Sequence, residues 1–221
     1  MLKFHGKADA QLIEDCKNEL SWDPRVTAND ITVTAIDGIV TLTGEVPHFI
    51  EKSMAEQAIQ RVGGVRAVAD ELKVNLTGVL SKTDEEIATA AKTALEWNFS
   101  VPEDVKVSVE RGWITLRGQV EWNFERVAAK NAVSSLLGVI GVSNDMTVKS
   151  KVQPVDVKAK IESAFKRLAD SEAKNIGVSV SGDEVTLSGN VHSMQEKEDA
   201  RTAAWSAPGV RRVQNDITVS M

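Results

Sequence analysis

The chain has 221 residues, with 26 basic and 32 acidic side chains and a formal net charge of −6. Hydrophobic residues make up 42% and charged residues 26%, the balance of a chain that buries a core rather than one that stays disordered. The acidic excess leaves too few Lys and Arg to neutralise a phosphate backbone, which excludes sequence-independent nucleic-acid binding. The single cysteine, Cys16, excludes an internal disulfide.

The first residues run from Met1 to Lys7 into Ala8-Asp9 with no apolar h-region, so no secretory leader is expected. No window approaches the ~18 consecutive apolar residues of a spanning helix, so no transmembrane segment is expected either. The expectation is a cytoplasmic protein, or a periplasmic one if a leader has been removed.

In chain order, Asp9 to Leu20 reads as an amphipathic helix with Ile13, Cys16 and Leu20 on its buried side and Asp9 as N-cap. Pro24, just past Trp22, ends it. Ile31, Val33 and Ala35 alternate with polar residues as a half-buried strand does. Asp37-Gly38 supplies a two-residue hairpin turn, and Val40, Leu42, Gly44 and Val46 form the inward row of the returning strand. A second helix carries Ala55, Ala58, Ile59 and Val62 and stops at Gly63-Gly64. Leu72, Val74 and Leu76 make a last strand.

The same order then returns twice. Thr83 and Glu86 open the next helix as a capping box, with Ile87, Ala91 and Leu95 as its stripe. Its strand rows are Val105, Val107, Val109 and then Ile114, Leu116, Gly118, Val120. Asn123 is the expected cap of a helix with Ala129, Ala132, Val133 and Leu136, stopped by Gly138. In the last third, Ile161, Phe165 and Leu168 form a first stripe. Strand rows follow at Ile176, Val178, Val180 and at Val185, Leu187, Gly189, Val191. Ser193 and Glu196 open an alanine-rich helix that Pro208-Gly209 ends. The anchoring glycines Gly44, Gly118 and Gly189 are 74 and 71 residues apart. Those periods are longer than the roughly 20–50 residues of solenoid repeats, and they suit small domains.

The reading is α+β: three tandem αββαβ modules at 8–76, 82–149 and 155–221, each a three-stranded sheet with two helices packed on one face. The mid-strand glycines are expected to make room for a helix lying on the sheet. The helix-ending Gly64, Gly138 and Gly209 complete the set of structural glycines. Net charge falls unevenly on the thirds: −4 over residues 1–76, −2 over 77–149 and zero over 150–221.

The repeated strand reads Val40-Thr41-Leu42-Thr43-Gly44-Glu45-Val46, and the return to the last strand reads Gly138 to Val148 and Gly209-Val210-Arg211-Arg212-Val213-Gln214-Asn215-Asp216-Ile217-Thr218-Val219. This pattern resembles the BON domain, named for bacterial osmotic-stress and nodulation proteins, and three copies cover nearly the whole chain. The resemblance implies the αββαβ fold, binding to phospholipid or another envelope component, and a link to osmotic or envelope stress.

No copy carries a catalytic constellation, and no G-x-S-x-G or P-loop pattern occurs. His5, His48 and His192 fall at unmatched positions with no ligand at metal-binding spacing, so neither metal nor cofactor is expected. Gly138-Val139-Ile140-Gly141 matches a nucleic-acid-binding GxxG but sits between helix and strand and reads as a turn. Trp22 and Trp97 stand just past the first helices of modules one and two. Tryptophan is well buried on average, so packing over the helix ends is expected. Phe49, Trp122 and Phe124 lie where the second strand passes into the second helix. Convergence of these five aromatics would mark a partner or membrane interface.

Module three has a basic first helix, with Lys158, Lys160, Lys166, Arg167 and Lys174 around its apolar stripe. Trp205 replaces Gln60 and Ser134 of the other copies. These six residues are the candidate contact with anionic phospholipid, each basic residue near the surface adding about 1 kcal/mol. The function read from the chain is a non-catalytic binding protein of the envelope or its lipids. The alternative is a cytoplasmic protein-interaction scaffold or self-associating stress protein with no lipid role.

Overall fold

The computed structural model describes residues 8–76, 81–149, 161, 163 and 176–220. The first helix expected in module three, with its stripe and its basic residues, lies outside them except for Ile161, which is helical and fully buried in the third core, and the helical Ser163.

The first module runs α1 (Asp9–Trp22), β1 (Ile31–Ile36), β2 (Ile39–Val46), α2 (Phe49–Gln60) and β3 (Ala67–Val74). The second has α3 (Asp84–Glu96), β4 (Lys106–Glu110), β5 (Trp113–Arg117), β6 (Gln119–Val120), α4 (Asn123–Ser134), β7 (Gly141–Asn144) and β8 (Thr147–Val148). The third contributes β9 (Ile176–Ser181), β10 (Glu184–Val191), α5 (Met194–Trp205) and β11 (Arg212–Val219). The chain is thus α+β, built as three tandem modules.

Each module pairs its first two strands antiparallel and its second and last strands parallel, with the second helix as the crossover. The register repeats: Leu42 faces Val33, Leu116 faces Val107 and Leu187 faces Val178. Val40, Leu42 and Val46 are buried, as are Ile114, Leu116, Val120 and Val185, Leu187, Val191. A slip of one residue would turn each of these rows to water, so alternation fixes the pairing. Three separate cores result, one per module.

The hairpins turn as their sequences require. Asp37 and Gly38 have φ of 51° and 78°, and Arg111 and Gly112 have 49° and 77°. Two positive dihedrals in succession make a mirror-image turn that matches strand twist. The first helix then grips this turn. The Asp9 carboxylate accepts from the Asp37 and Gly38 amides at 3.1 and 3.3 Å. Asp84 repeats the contact on Arg111 and Gly112 at 2.7 and 2.8 Å.

That grip corrects the expected role of Asp9. Ala8 is the N-cap, and Asp9, inside the helix, is spent on the hairpin. It also sets which face of α1 looks down: Leu12, Cys16 and Leu20 are buried, four residues apart, while Ile13 is only half-buried. Asn123 is likewise not the cap of α4. Trp122 holds that place, and the Glu125 carboxylate accepts from the Glu121 and Trp122 amides at 2.8 and 2.9 Å.

The mid-strand glycines give room to backbone rather than to a helix. Gly44 and Gly118 have φ of 123° and 144°, and the neighbour on the missing side chain's side is the carbonyl of Asp30 or Asp104, where the chain enters the first strand. At Gly118 the strand breaks into β5 and β6, whereas β2 and β10 run through Gly44 and Gly189.

Gly44→Ala combines a forbidden dihedral with a collision against the Asp30 carbonyl, so it should cost about 3 kcal/mol or more. Gly63→Ala meets nothing within 4 Å and should stay within ~1 kcal/mol of the parent. Urea unfolding of the two variants checks the contrast.

Candidate interaction surface

The first helices of modules one and two end in the same local motif. In Trp22-Asp23-Pro24-Arg25-Val26 the Asp23 carboxylate accepts from the Arg25 amide at 3.1 Å and its carbonyl from the Val26 amide at 3.1 Å. In Trp97-Asn98-Phe99-Ser100-Val101 the Asn98 side chain accepts from the Ser100 amide at 3.1 Å and its carbonyl from the Val101 amide at 2.9 Å. An Asx side chain that bonds two residues ahead makes a tight turn of its own. The turn brings the valine back to the core and leaves the tryptophan outside.

Trp22 is therefore 83% exposed, Trp97 85% and Phe99 100%. The expectation that these tryptophans pack over the helix ends is overturned. The flanking helices are acidic. Asp9, Glu14, Asp15 and Glu19 stand against Lys17 in α1, and Asp84, Glu85, Glu86 and Glu96 against Lys92 in α3.

Ion pairs hold the first turn rigid. Asp23 has only 4% of its side chain exposed and is bridged to Arg25 at 2.7 Å and to Arg61, at the end of α2, at 3.1 Å. Arg61 also reaches Glu19 at 2.8 Å. The bond from the Arg25 guanidinium holds the Asp23 carboxyl far below the usual carboxylate range, against the opposing pull of burial. Module two has no such charge at Asn98, and its turn rests on neutral hydrogen bonds.

The other aromatics lie elsewhere. Phe49, at the start of α2, packs against the core of module two. Trp205, at the end of α5, is half-buried against the cores of both modules two and three, and the Arg126 guanidinium lies over its ring at 5.1 Å. The second helices thus form the joint, with α2 touching α5. Glu56 on α2 records their closeness in its charge. Its pKa is raised by burial and then by Asp70, and the charges of Lys130 on α4 and Glu198 on α5 reach it too.

Trp122 and Phe124 line a cleft of about 580 Å³ between α4 and α5, with Trp205 and Arg126. The five candidate aromatics are therefore not one patch. Trp22 and Trp97 project at the helix ends, Phe49 is a joint residue, and Trp122 and Phe124 share the cleft. Lys158, Lys160, Lys166, Arg167 and Lys174 lie outside the described residues. Phe99 and Arg126 are functional candidates that only the structure brings out. The signal for Phe99 is its place two residues past Trp97, inside an Asx turn. The signal for Arg126 is that Lys52 and Lys197 occupy its matched positions.

Among the described residues, no three His, Cys, Asp or Glu side chains converge as metal ligands, and no helix is long and apolar enough to cross a membrane.

Residues 8–75, 83–150 and 155–221 each match the BON domain. The chain belongs to the BON family. It is 27% identical over 143 residues to osmotically-inducible protein Y of Escherichia coli strain K12, covering 61% of this chain and 71% of that protein. Among solved structures, CdsD, a structural protein of the type III secretion system of Chlamydia trachomatis, is 16% identical, with 95% of this chain and 92% of that one covered and a TM-score of 0.25. The periplasmic domain of PrgH, a type III secretion inner-membrane protein of S. typhimurium, is 11% identical, with 87% of this chain and 95% of that one covered and a TM-score of 0.21.

The Asp23 ion pairs in the first BON module make a pH prediction. A carboxylate whose folded pKa is depressed contributes stability in full above its ordinary value of 3.8, and that contribution fades as pH falls toward the much lower folded value. The wild type should exceed Asp23→Asn in stability by a constant margin from pH 5 to 8. The margin should shrink steadily below pH 4, as read by urea midpoints across pH.

Proposed function

We propose that this BON protein is a non-catalytic binding protein of the osmotic or envelope stress response, and that it associates with phospholipid surfaces through the aromatic tips of its first helices. The observation that carries the reading is the exposure of Trp97 and Phe99 on a turn that holds them in water. Membership of the family and the likeness to an osmotically inducible protein support the biological setting. Large aromatics cost free energy in water, and a bilayer interface takes an apolar ring with a polar edge. The basic segment of module three, Lys158 to Lys174, supplies the attraction to anionic head groups that the acidic α1 and α3 do not. The reading holds for a cytoplasmic chain and for one delivered to the periplasm.

The acidic flanks of Trp22 and Trp97 favour a second reading, in which these tips meet a basic protein partner or a second copy of the chain. Like charges oppose contact between α1 or α3 and an anionic membrane, whereas a basic protein surface is attracted to them.

Co-sedimentation with vesicles separates the two. The full chain should pellet with phosphatidylglycerol vesicles and much less with phosphatidylcholine. The Trp97→Ser/Phe99→Ser double variant should lose about tenfold in binding per aromatic removed. Equal binding to neutral vesicles, or a double variant that pellets like the parent, sinks the lipid reading. Concentration-dependent light scattering that the double variant abolishes then supports the second.

A further inference from the structure

The cleft between α4 and α5 belongs to two modules and is separate from the exposed helix tips. Its volume, about 580 Å³, is that of a small-molecule site. Trp122, Phe124, Val127 and Trp205 give it apolar walls, and Phe124 and Val127 remain 57% and 46% exposed although they are large and hydrophobic.

One cation in this cleft departs from the repeat. At the matched positions, Lys52 donates to the Leu72 carbonyl and Lys197 to the Ile217 carbonyl, each fastening its helix to the last strand. Module two carries Arg126 there. Its guanidinium lies over Trp205 instead, at 5.1 Å. A guanidinium held by an aromatic ring alone still has N–H donors to offer a planar, two-oxygen acceptor. Among the described residues no carboxylate pairs with Arg126, whereas the neighbouring Arg201 is paired with Glu198. Burial and then the charge of Arg201 both lower the pKa of Arg126. The site therefore disfavours its own positive charge, and an incoming anion relieves that cost.

Asn123 adds a second polar group. It lines the cleft, and its side-chain oxygen is buried with no hydrogen-bond partner among the described residues. An unpaired buried acceptor costs about 1–3 kcal/mol, which a ligand hydroxyl recovers once the side chain turns into the cleft.

We infer that this cleft binds a single-chain amphiphile with an anionic head group, the head held on Arg126 and the acyl chain laid along Trp122, Phe124 and Val127. A fatty-acid carboxylate and a monoacyl phospholipid share that chemistry. The inference does not depend on the tips at Trp97 and Phe99, so the Trp97→Ser/Phe99→Ser chain keeps the site.

The test is calorimetric titration of the full chain with dodecanoate, with monolauroyl lysophosphatidylglycerol and with neutral monolauroylglycerol, each below its micelle concentration. Saturable binding with one site is expected for at least one of the two anions, at least tenfold tighter than for the neutral ester. Arg126→Gln should weaken the anion at least tenfold and leave the neutral ester unchanged. Phe124→Ser should weaken all the ligands that bind. A tighter lysophospholipid that loses its advantage in Asn123→Ala assigns the site to phospholipid, and a tighter dodecanoate assigns it to free acid. Thermal melts confirm that the variants remain folded, and Lys92→Gln, on an exposed helix face, serves as a charge control. No binding, non-saturable binding, equal affinity for the neutral ester, or an Arg126→Gln chain no weaker than Lys92→Gln would each overturn the inference.

Discussion

The architecture depends on a place where two stretches of backbone come closer than side chains allow. The carbonyl of Asp30 lies where Gly44 would carry its Cβ, and the carbonyl of Asp104 stands over Gly118 in a looser version of the same contact. This approach lets the chain enter the first strand across the inward row of the second. Both sides of the hairpin can then shelter under the helices. A larger residue at Gly44 would push the entering segment outward and open the core beneath it.

A module held in this way has two ends with different chemistry. At the hairpin end, an aspartate from the first helix ties the helix to the turn, so the sheet and helix are locked in orientation. At the far end, an Asx turn closes the helix and returns a valine to the core. The aromatics that this turn leaves outside are consequences of backbone hydrogen bonding and not of loose packing. Their exposure is fixed by the same bonds that stabilise the helix end. The second helices have been diverted further. Their faces carry the contact between modules, with Phe49 packed against the second core and Trp205 against the second and third.

Strand rows were legible in the sequence because alternation has a single period, and only one register hides all the apolar residues. Helix faces were less so. Ile13 and Leu12 both fit a helical stripe with Leu20, and the choice was made by the bond from Asp9 to amides 28 and 29 residues away. Asn123 looked like a cap because asparagine prefers that position. Glu125 was the stronger competitor, reaching two amides at once. Average burial predicts packed tryptophans at Trp22 and Trp97, but that statistic knows nothing of the turn that follows. Trp205 stands out by comparing copies, and the same comparison carried about two helical turns toward the helix start finds Arg126.

Cys16, the one cysteine of the chain, is fully buried in the first core. A thiol reagent can reach it only when that core opens, and no sulfhydryl in modules two or three competes for the label. The rate of its modification in native buffer therefore clocks the opening of one module inside the intact chain, against the slower or faster breathing of its neighbours.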